Sequence, residues 1–563
     1  MRESIVDILR GAVRDAALRT GHVQEGSLPP VVIEEPRAAG HGDFSTNIAM
    51  LVASQSGLKA REVAEAIASR LDRTSAKLDR VEVEGPGFVN MFISKAHLQE
   101  NARQILQDGD AYGTLNFGKG SLVQVEFVSA NPTGPLNVVS ARAAAVGDSL
   151  IRLLKACGFE ARSEFLTNDH GTQVELLGRS LQARVEELRS GRPAEIPEEG
   201  YRGEYLVDLA REISSETALQ MLAEAGKAGG SKFAKFAVER MIEGQRKDLT
   251  DFGVSFDNWF RESSLHSSGY VEETLATLRD SGFLYEKDGA EWFKSSELGD
   301  EQDRVVRKSP AGQEGAAGEP TYFLSDVAYH RNKFERGFER VIDIWGPDHH
   351  GHVPRMQAAA RALGYPPDWL EILIVQWVRL MRGKEPVSMS KRAGEFVTLS
   401  ELIKEVGVDC ARFFFLMRKV NSHLDFDLEL AKRQSDENPV YYVQYGHARV
   451  SSVIEFAREG GVEMCGLEEA DLSLLSQPEE LSLLRHLICY PEQVRAACLG
   501  REPQKITSYL TGLATAFHQF YHNHRVVGAE PNLMQSRLLL VRAVKTVIKN
   551  GLDLLGVSAP DKM

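Results

Sequence analysis

Apolar and polar positions alternate in three different ways along this chain. Residues 1 to about 110 mix short helical and strand patterns. A first amphipathic helix ends near Gly21, and a Pro-rich turn leads to a strand over 31–35. Gly40-His41-Gly42-Asp43-Phe44 then opens a helix over 45–54, with Ser45 as its cap. A helix over 60–71 and strands over 81–84 and 88–93, turned at Gly85-Pro86-Gly87, complete this part. The pattern next becomes strand, loop, helix, strand. Val-Gln-Val-Glu-Phe-Val (123–128) reads as a buried strand, SANPTGPL (129–136) as a tight loop, and the run from Asn137 to Gly158 as a helix. A second strand follows over 161–166. This is a βαβ unit, which crosses over right-handed. Long helical patterns over about 175–245, broken by Gly191, Pro193 and Pro197, form an insertion. A small, polar loop spans 309–320, and the sheet is expected to resume at 321–324, 341–345 and 371–375. Gly346-Pro347-Asp348 opens a helix to about Leu363, and a basic loop fills 381–394. From Leu399 helices dominate. From Asp427 only helical periodicity is left, with aromatic ridges at Tyr441, Tyr442, Tyr445, Phe517, Phe520 and Tyr521.

These patterns predict a multi-domain α/β protein. A small N-terminal α/β domain occupies 1–110. A Rossmann-type parallel-sheet domain occupies 120–400, with its insertion at 175–245. An all-α C-terminal bundle occupies 401–563. The length, 563 residues, suits several domains. A net charge of −14 excludes a uniformly basic coat for nucleic acid but not local basic patches. Five cysteines (157, 410, 465, 489, 498) form no C-x-x-C pair and read as buried, inert thiols in a reducing compartment. The first residues lack the apolar segment of a secretory signal, and no apolar window is long enough to span a membrane.

The loop 129–136 sits where open α/β sheets bind ligands, at the carboxyl end of a strand and ahead of a helix whose free N–H groups suit a phosphate. Neither G-x-G-x-x-G nor G-x-x-x-x-G-K-[ST] is present in that unit. Glu126, within the strand, and Asp326, just past the expected strand at 322–324, could face the crevice. As buried carboxylates they need a cation, from a substrate or from the protein itself. Met389-Ser390-Lys391-Arg392 offers a cationic loop for a polyphosphate. Asp348, His349, His350 and His352 lie close together, with Asp348 and His352 at i,i+4. No Cys or Glu completes a metal set, so sugar or phosphate contact is the expectation and no metal site is assigned. His518 and His522 share that spacing and are expected to pack or touch RNA.

Taken together, these residues resemble the arginyl-tRNA synthetase family of class I aminoacyl-tRNA synthetases. EFVSANPTGPL (126–136) looks like the family's first nucleotide motif and MSKRAGEFVTL (389–399) like its second. YFLSD (322–326), WGPDHHGH (345–352), VDCARFFFLMR (408–418) and ENPVYYVQYGHAR (437–449) resemble its other blocks, in family order, and GDFSTNIAM (42–50) its N-terminal domain. The resemblance implies ATP-dependent ligation of L-arginine to its tRNA through an arginyl-adenylate, with ATP, magnesium and tRNA(Arg) as requirements. It implies a cytoplasmic monomer with no editing domain.

Residue by residue, it implies that Glu126, Tyr322 and Asp326 receive the guanidinium and Asn131 the α-ammonium, with Ser129 beside them. Ser129, Asn137 and Ser140 line the phosphate side. Ala130, Pro132, Thr133, Gly134, Pro135 and Met389 complete the ATP wall. Gly346, Asp348 and His349 meet ribose or adenine, and Ser390 with Lys391 stabilises the transferring phosphate. Two departures stand out. The family's first motif ends His-x-Gly-His, where this chain has Asn137-Val138-Val139-Ser140, and Ser388 stands where a Lys is common. Asn137 and Ser140 can each donate a hydrogen bond but carry no charge. The rival reading is a catalytically weakened paralogue that binds RNA or regulates. Other class I synthetases, for Met, Cys, Leu or Val, would not place two acids and a Tyr at the amino-acid pocket.

Overall fold

The computed structural model describes residues 4–36, 40–213, 215–228, 231–310, 318–383, 385–387 and 397–563, without the side chains of 223–228 and 231. In the N-terminal part, α1 (Ile5–Arg19) starts at Ser4, whose hydroxyl accepts the Asp7 N–H. The stretch 31–35, expected as a strand, makes a single bridge from Glu34 to Ser45. Pro29, Pro30 and Pro36 around it remove the donors a longer ladder would use. The helix expected from Ser45 is also corrected. Ser45 belongs to a strand, β1 (Phe44–Thr46), and α2 (Ile48–Ser56) begins after Asn47. A side chain at Gly42 would come within 2.7 Å of the Met91 carbonyl, so glycine lets this segment lie against its partner strand. After α3 (Ala60–Arg70), β2 (Leu78–Glu84) and β3 (Phe88–Ile93) complete an antiparallel sheet in the order β1-β3-β2. Then α4 (Lys95–Asp108) leads out of this part.

The central sheet is built from β4 (Leu122–Phe127), β5 (Glu160–Thr167), β6 (Asn258–Arg261), β10 (Arg340–Trp345) and β11 (Leu370–Ile374). All neighbours are parallel, in the order β11-β10-β4-β5-β6. The chain runs outward from β4 through α5 (Val138–Ala156) to β5, and returns to the other side of β4 with β10. A topological switch therefore opens between the carboxyl ends of β4 and β10. A Cβ at Gly147 of α5 would fall 2.1 Å from the Phe127 ring, so only glycine allows helix and strand this close.

Between β5 and β6 lies the helical insertion: α6 (Thr172–Ser190), α7 (Tyr205–Glu212), α8 (Ser215–Ala228) and α9 (Ser231–Asp251). It has its own core, including Leu177, Leu181, Leu206 and Phe233. Beyond β6, α10 (Ser263–Ser267) and α11 (Tyr270–Asp280) precede a small antiparallel sheet of β7 (Leu284–Lys287), β8 (Ala290–Phe293) and β9 (Arg304–Arg307). The strand expected at 321–324 is instead the start of a helix, α12 (Tyr322–Glu335). Phe323, Leu324, Val327 and Ala328 are all buried, an i, i+1, i+4, i+5 set that fits one helical face. After β10 the segment Pro347–His352 is a 3₁₀ turn, and α13 (Val353–Ala362) follows.

After β11, β12 (Val378–Arg382) pairs with the short β13 (Glu385–Pro386) and with a later strand, β14 (Leu424–Asp427). Between them come α14 (Leu399–Val406) and α15 (Val408–Leu416). The remaining chain is helical: α16 (Leu428–Ala431), α17 (Pro439–Glu459), α18 (Pro478–Gly500), α19 (Gln504–Asn523) and α20 (Pro531–Leu555). One hydrophobic core runs continuously from the N-terminal helices through β4 and α5 into this bundle. No helix among the described residues is long and apolar enough to cross a membrane. Cys157, Cys410 and Cys498 are buried as expected, whereas Cys465 and Cys489 are only half-buried.

Candidate active site

The loop 129–136 leaves β4 through strained backbone. Val128 and Ser129 have φ of 70° and 37°, a region that a β-branched residue rarely enters. The helical insertion holds the loop from outside. The Tyr205 hydroxyl donates to the Thr133 carbonyl (2.6 Å), and the Gln245 amide donates to the carbonyls of Asn131 (3.1 Å) and Gly134 (3.0 Å). Asn131 is exposed and donates to Gln173, while Asn168 donates to it. Pro132 is buried, and Ala130, Thr133, Gly134 and Pro135 are half-buried along the same wall.

Asn137 caps α5: its side-chain oxygen accepts the N–H groups of Val139 and Ser140, both at 3.0 Å. Its amide N–H₂, like the half-buried Ser140 hydroxyl, has no hydrogen-bond partner among the described residues. Leu136 and Asn137 also meet the chain that follows the second motif. Leu399 N–H donates to the Leu136 carbonyl (2.8 Å), and Asn137 bridges Thr398. The two nucleotide motifs are thus joined at their far ends. Met389, Ser390 and Lys391, with Ser388 and Arg392, lie outside the described residues.

Across the switch, Gly346 starts the 3₁₀ turn, and Asp348 and His349 are exposed beside it. With three residues per turn, i and i+3 eclipse, so the pairing expected between Asp348 and His352 is replaced by one between the His349 and His352 rings, 5.6 Å apart. Among the described residues no group of three His, Cys, Asp or Glu is placed to hold a metal ion.

The expected acids separate into two settings. Glu126 is 3% exposed and already has partners: Lys333 Nζ at 2.6 Å and the Ser129 hydroxyl at 2.7 Å. In this structure it is Lys333 that neutralises the carboxylate expected to receive the guanidinium. Lys333 is fully buried and also donates to Asp343 (2.7 Å), whose other oxygen faces His330 Nε2 (2.7 Å). Asp343, Glu126 and Glu164 stand in register on β10, β4 and β5. Glu164 is held bidentately by Arg336 (2.6 and 2.8 Å), with the Tyr329 hydroxyl also donating (2.6 Å). Burial works against every charge in this row. Lys333 and His330 nevertheless hold the Asp343 carboxyl down to about 2, and the Arg336 guanidinium keeps Glu164 below the usual range. Glu126 is pushed up, by burial and by Asp343, which competes for the same ammonium.

Asp326 sits one turn into α12, and burial raises it to about 6, helped by the charges of Glu126 and Asp343. His330 and Lys333 pull the other way without forming an ion pair with it. Glu262, which the sequence reading missed, follows directly after β6, at the carboxyl end of the sheet. It is 9% exposed and raised to about 7 by burial and by repulsion from Asp326 and Asp169. Its nearest basic group is His266 Nε2 at 3.7 Å, an imidazole pushed down by burial and by the stacked His170 ring. Glu262 and Tyr322 line a cleft of about 1160 Å³ with His170, Arg304, His352 and Arg355. Tyr322 is 67% exposed and reaches over Gly171 at the cleft wall. Glu262 lines this cleft together with the cations Arg261, Arg304 and Arg355, and Asp326, behind the lining, acts electrostatically on both Glu262 and Arg355 without an ion pair to Lys or Arg.

The chain matches three family profiles end to end. "Arginyl tRNA synthetase N terminal domain" covers residues 3–93, "tRNA synthetases class I (R), catalytic domain" covers 101–423, and "DALR anticodon binding domain" covers 443–563. An arginine-tRNA ligase of Desulfosudis oleivorans is 47% identical over 566 residues, covering 100% of both chains. One from Moorella thermoacetica is 47% identical over 559 residues, covering 99% of this chain and 98% of its own. The Thermus thermophilus arginyl-tRNA synthetase structure superposes with a TM-score of 0.76 at 21% identity, covering 99% of this chain and 100% of its own, which speaks for the fold. With three consecutive profiles and full-length relatives in agreement, this chain belongs to the arginyl-tRNA synthetase family of class I enzymes.

Proposed function

We propose that the cleft beside β5 and β6 takes the arginine side chain and that the crevice between β4 and β10 takes ATP. The chain is an arginine-tRNA ligase, forming arginyl-tRNA, AMP and pyrophosphate. The observation that carries the residue-level reading is the pair Asp326 and Glu262, two raised carboxylates that lack ion pairs with Lys or Arg. They accept the guanidinium, with the Tyr322 hydroxyl beside them. A planar fork of donors satisfies two acids at once, which a lysine ammonium does not. Glu126 stands behind them, acting through Ser129, and Asn131 receives the α-ammonium.

On the nucleotide side, Ser129, the Asn137 amide and Ser140 donate to phosphates at the α5 N-terminus, where the helix dipole favours negative charge. Gly346, Asp348 and His349 meet ribose or adenine. Met389 belongs to the ATP site, Ser390 and Lys391 stabilise the transferring phosphate, and Lys391 supplies the charge that Asn137 and Ser140 lack. The arginine carboxylate attacks the α-phosphorus and pyrophosphate leaves, so positioning and charge stabilisation carry the step. Among the described residues no group of acids and histidines forms a cage for magnesium, which would be held through the triphosphate oxygens.

The N-terminal domain (1–110) takes the tRNA elbow and the helical domain (401–563) the anticodon. In the latter, Tyr441 stacks towards Tyr445, Tyr445 on His518, and Arg449 lies over Tyr445 and Tyr521, a platform suited to unstacked bases. The central domain (120–400) does the chemistry. The protein works as a monomer in the cytoplasm. The test is charging of tRNA transcripts with arginine or lysine, together with ATP–pyrophosphate exchange with and without tRNA. Arginine-specific charging is expected. Failure to charge with any amino acid would leave the RNA-binding paralogue as the better reading.

A further inference from the structure

The loop ahead of α5 is gripped by three helices of the insertion at once. From α6, Gln173 accepts from the Asn131 amide (2.8 Å). From the start of α7, the Tyr205 hydroxyl donates to the Thr133 carbonyl (2.6 Å). From α9, the Gln245 amide donates to the carbonyls of Asn131 (3.1 Å) and Gly134 (3.0 Å). Among the described residues no other donor reaches the Thr133 or Gly134 carbonyl. A loop with no ladder of its own has to place its carbonyls elsewhere. Here they go to side chains from a distant part of the chain.

The grip does more than fasten the insertion to the sheet. The insertion has its own hydrophobic core, separate from the one that holds β4 and α5. Gln245 is 2% exposed, and its Oε1 has no hydrogen-bond partner. Burying an amide with an orphaned acceptor is unfavourable, and an apolar side chain of the same length would pack there without that penalty. What the glutamine adds is a pair of donors where two loop carbonyls converge. Tyr205 is placed with similar care. A Cβ at Gly203 would fall 2.3 Å from its ring, so glycine there leaves room for the ring beside the loop. Burial pushes the Tyr205 hydroxyl up, so it stays a donor across the neutral range.

We propose that Gln245, assisted by Tyr205, is a positioning residue for adenylate formation, fixing residues 131–134 so that arginine and the α-phosphate of ATP meet in attacking geometry. The inference rests on the reading of this loop as a shared wall of the arginine and ATP sites. Both side chains act through the loop backbone and not on the substrates. The loop begins in strained backbone at Val128 and Ser129, and its far end is fastened through Leu136 and Asn137. With the middle released, the strain at its start relaxes by moving the residues between. A loop shifted by roughly an ångström still binds each substrate but aligns them less often, so the loss falls on kcat and not on the arginine KM.

The test is ATP–pyrophosphate exchange by the full-length protein at saturating arginine, ATP and tRNA, with amide hydrogen exchange followed on peptides covering 129–136. Gln245→Met keeps the volume and removes the amide, and Tyr205→Phe removes only a hydroxyl. Gln245→Met should lower kcat at least about tenfold and Tyr205→Phe roughly threefold, with the arginine KM close to the parent's and faster amide exchange in 129–136. Gln245→Glu provides a rescue. Its carboxyl donates to a loop carbonyl when protonated and repels both when ionised, so its kcat relative to the parent's should recover as pH falls. A role in packing alone gives no such recovery. A kcat for Gln245→Met within about twofold of the parent's would overturn the proposal, as would unchanged amide exchange in 129–136. A parent that shows no exchange with arginine would overturn the function proposed above instead, and the amide exchange of Gln245→Met would still decide whether the grip holds the loop.

Discussion

Two groups of acids lie within one helix of each other and are treated in opposite ways. Asp343, Glu126 and Glu164 run across three strands, fully desolvated, and α12 reaches over them with His330, Lys333 and Arg336. Asp326, on that same helix, and Glu262, after β6, make no ion pair with Lys or Arg among the described residues, although Arg355 lies within electrostatic reach of Asp326. The helix supplies charge on one face and withholds it at its first turn. A buried carboxylate without a cation is costly, and the guanidinium proposed to bind here offsets this cost from outside. The row in the sheet is structure. The pair at the cleft is where recognition is proposed.

The largest effect should come from breaking the row. Lys333→Met leaves Glu126 and Asp343 facing each other without their shared ammonium. Removing one partner of a buried pair costs about 3–5 kcal/mol, and urea denaturation should show a loss of that size. A variant as stable as the parent would mean that the row is not held by charge pairing.

Next comes the cleft. Asp326→Ala should raise the arginine KM by an amount equivalent to about 2–4 kcal/mol, because a bound guanidinium is left underpaired. Its urea midpoint should stay level or rise, since one member of a repelling pair is gone. Glu262→Gln should behave alike. Loss of stability without a change in KM would move Asp326 into the structural group and sink the pocket assignment.

How legible all this was in the sequence follows from the range of each interaction. The βαβ unit from β4 to β5 could be read because strand, loop and helix are contiguous and Asn137 caps its own helix. The 321–324 segment reads as strand because Tyr322, Phe323 and Leu324 form an apolar run; the helical period shows only when Val327 and Ala328 are included. Lys333 carried no motif, and its partner Glu126 is 207 positions away. Glu262 lies in an unremarkable Arg-Glu-Ser-Ser, and its one available signal was position: first residue past a strand of the parallel sheet. The acid at Glu126 was found, but whether a substrate or a lysine would neutralise it was a tertiary fact.

A pH profile separates the two groups more gently. Free Glu262 holds its proton up to about 7 and Asp326 up to about 6. Arginine binds the ionised forms, so affinity is full above these values and falls as pH drops through them, by up to about tenfold per unit for each group. The arginine KM should therefore climb from pH 8 to 6. In Glu262→Gln the climb should start about a unit lower. Asp343, held at about 2, stays ionised throughout and contributes nothing to this trend. A flat KM over this range would show that neither cleft acid binds arginine.

The smallest effect belongs to the residue that ties the row to the nucleotide loop. Ser129 donates to Glu126 and accepts the Leu166 N–H (3.1 Å), linking the row to the strained start of the nucleotide loop. Ser129→Ala removes both bonds, yet Glu126 keeps Lys333, so the cost should be only about 1 kcal/mol of stability. Glu126→Gln sharpens the comparison further. Glutamine can still accept from Ser129, and Lys333 keeps Asp343. If Glu126 belongs to the row and acts only through Ser129, the arginine KM of this variant changes by less than about threefold, well under 1.4 kcal/mol. If the KM rises more than about tenfold at unchanged stability, Glu126 touches the guanidinium itself, Lys333 moves aside when arginine binds, and the line between the two groups has to be redrawn through Glu126.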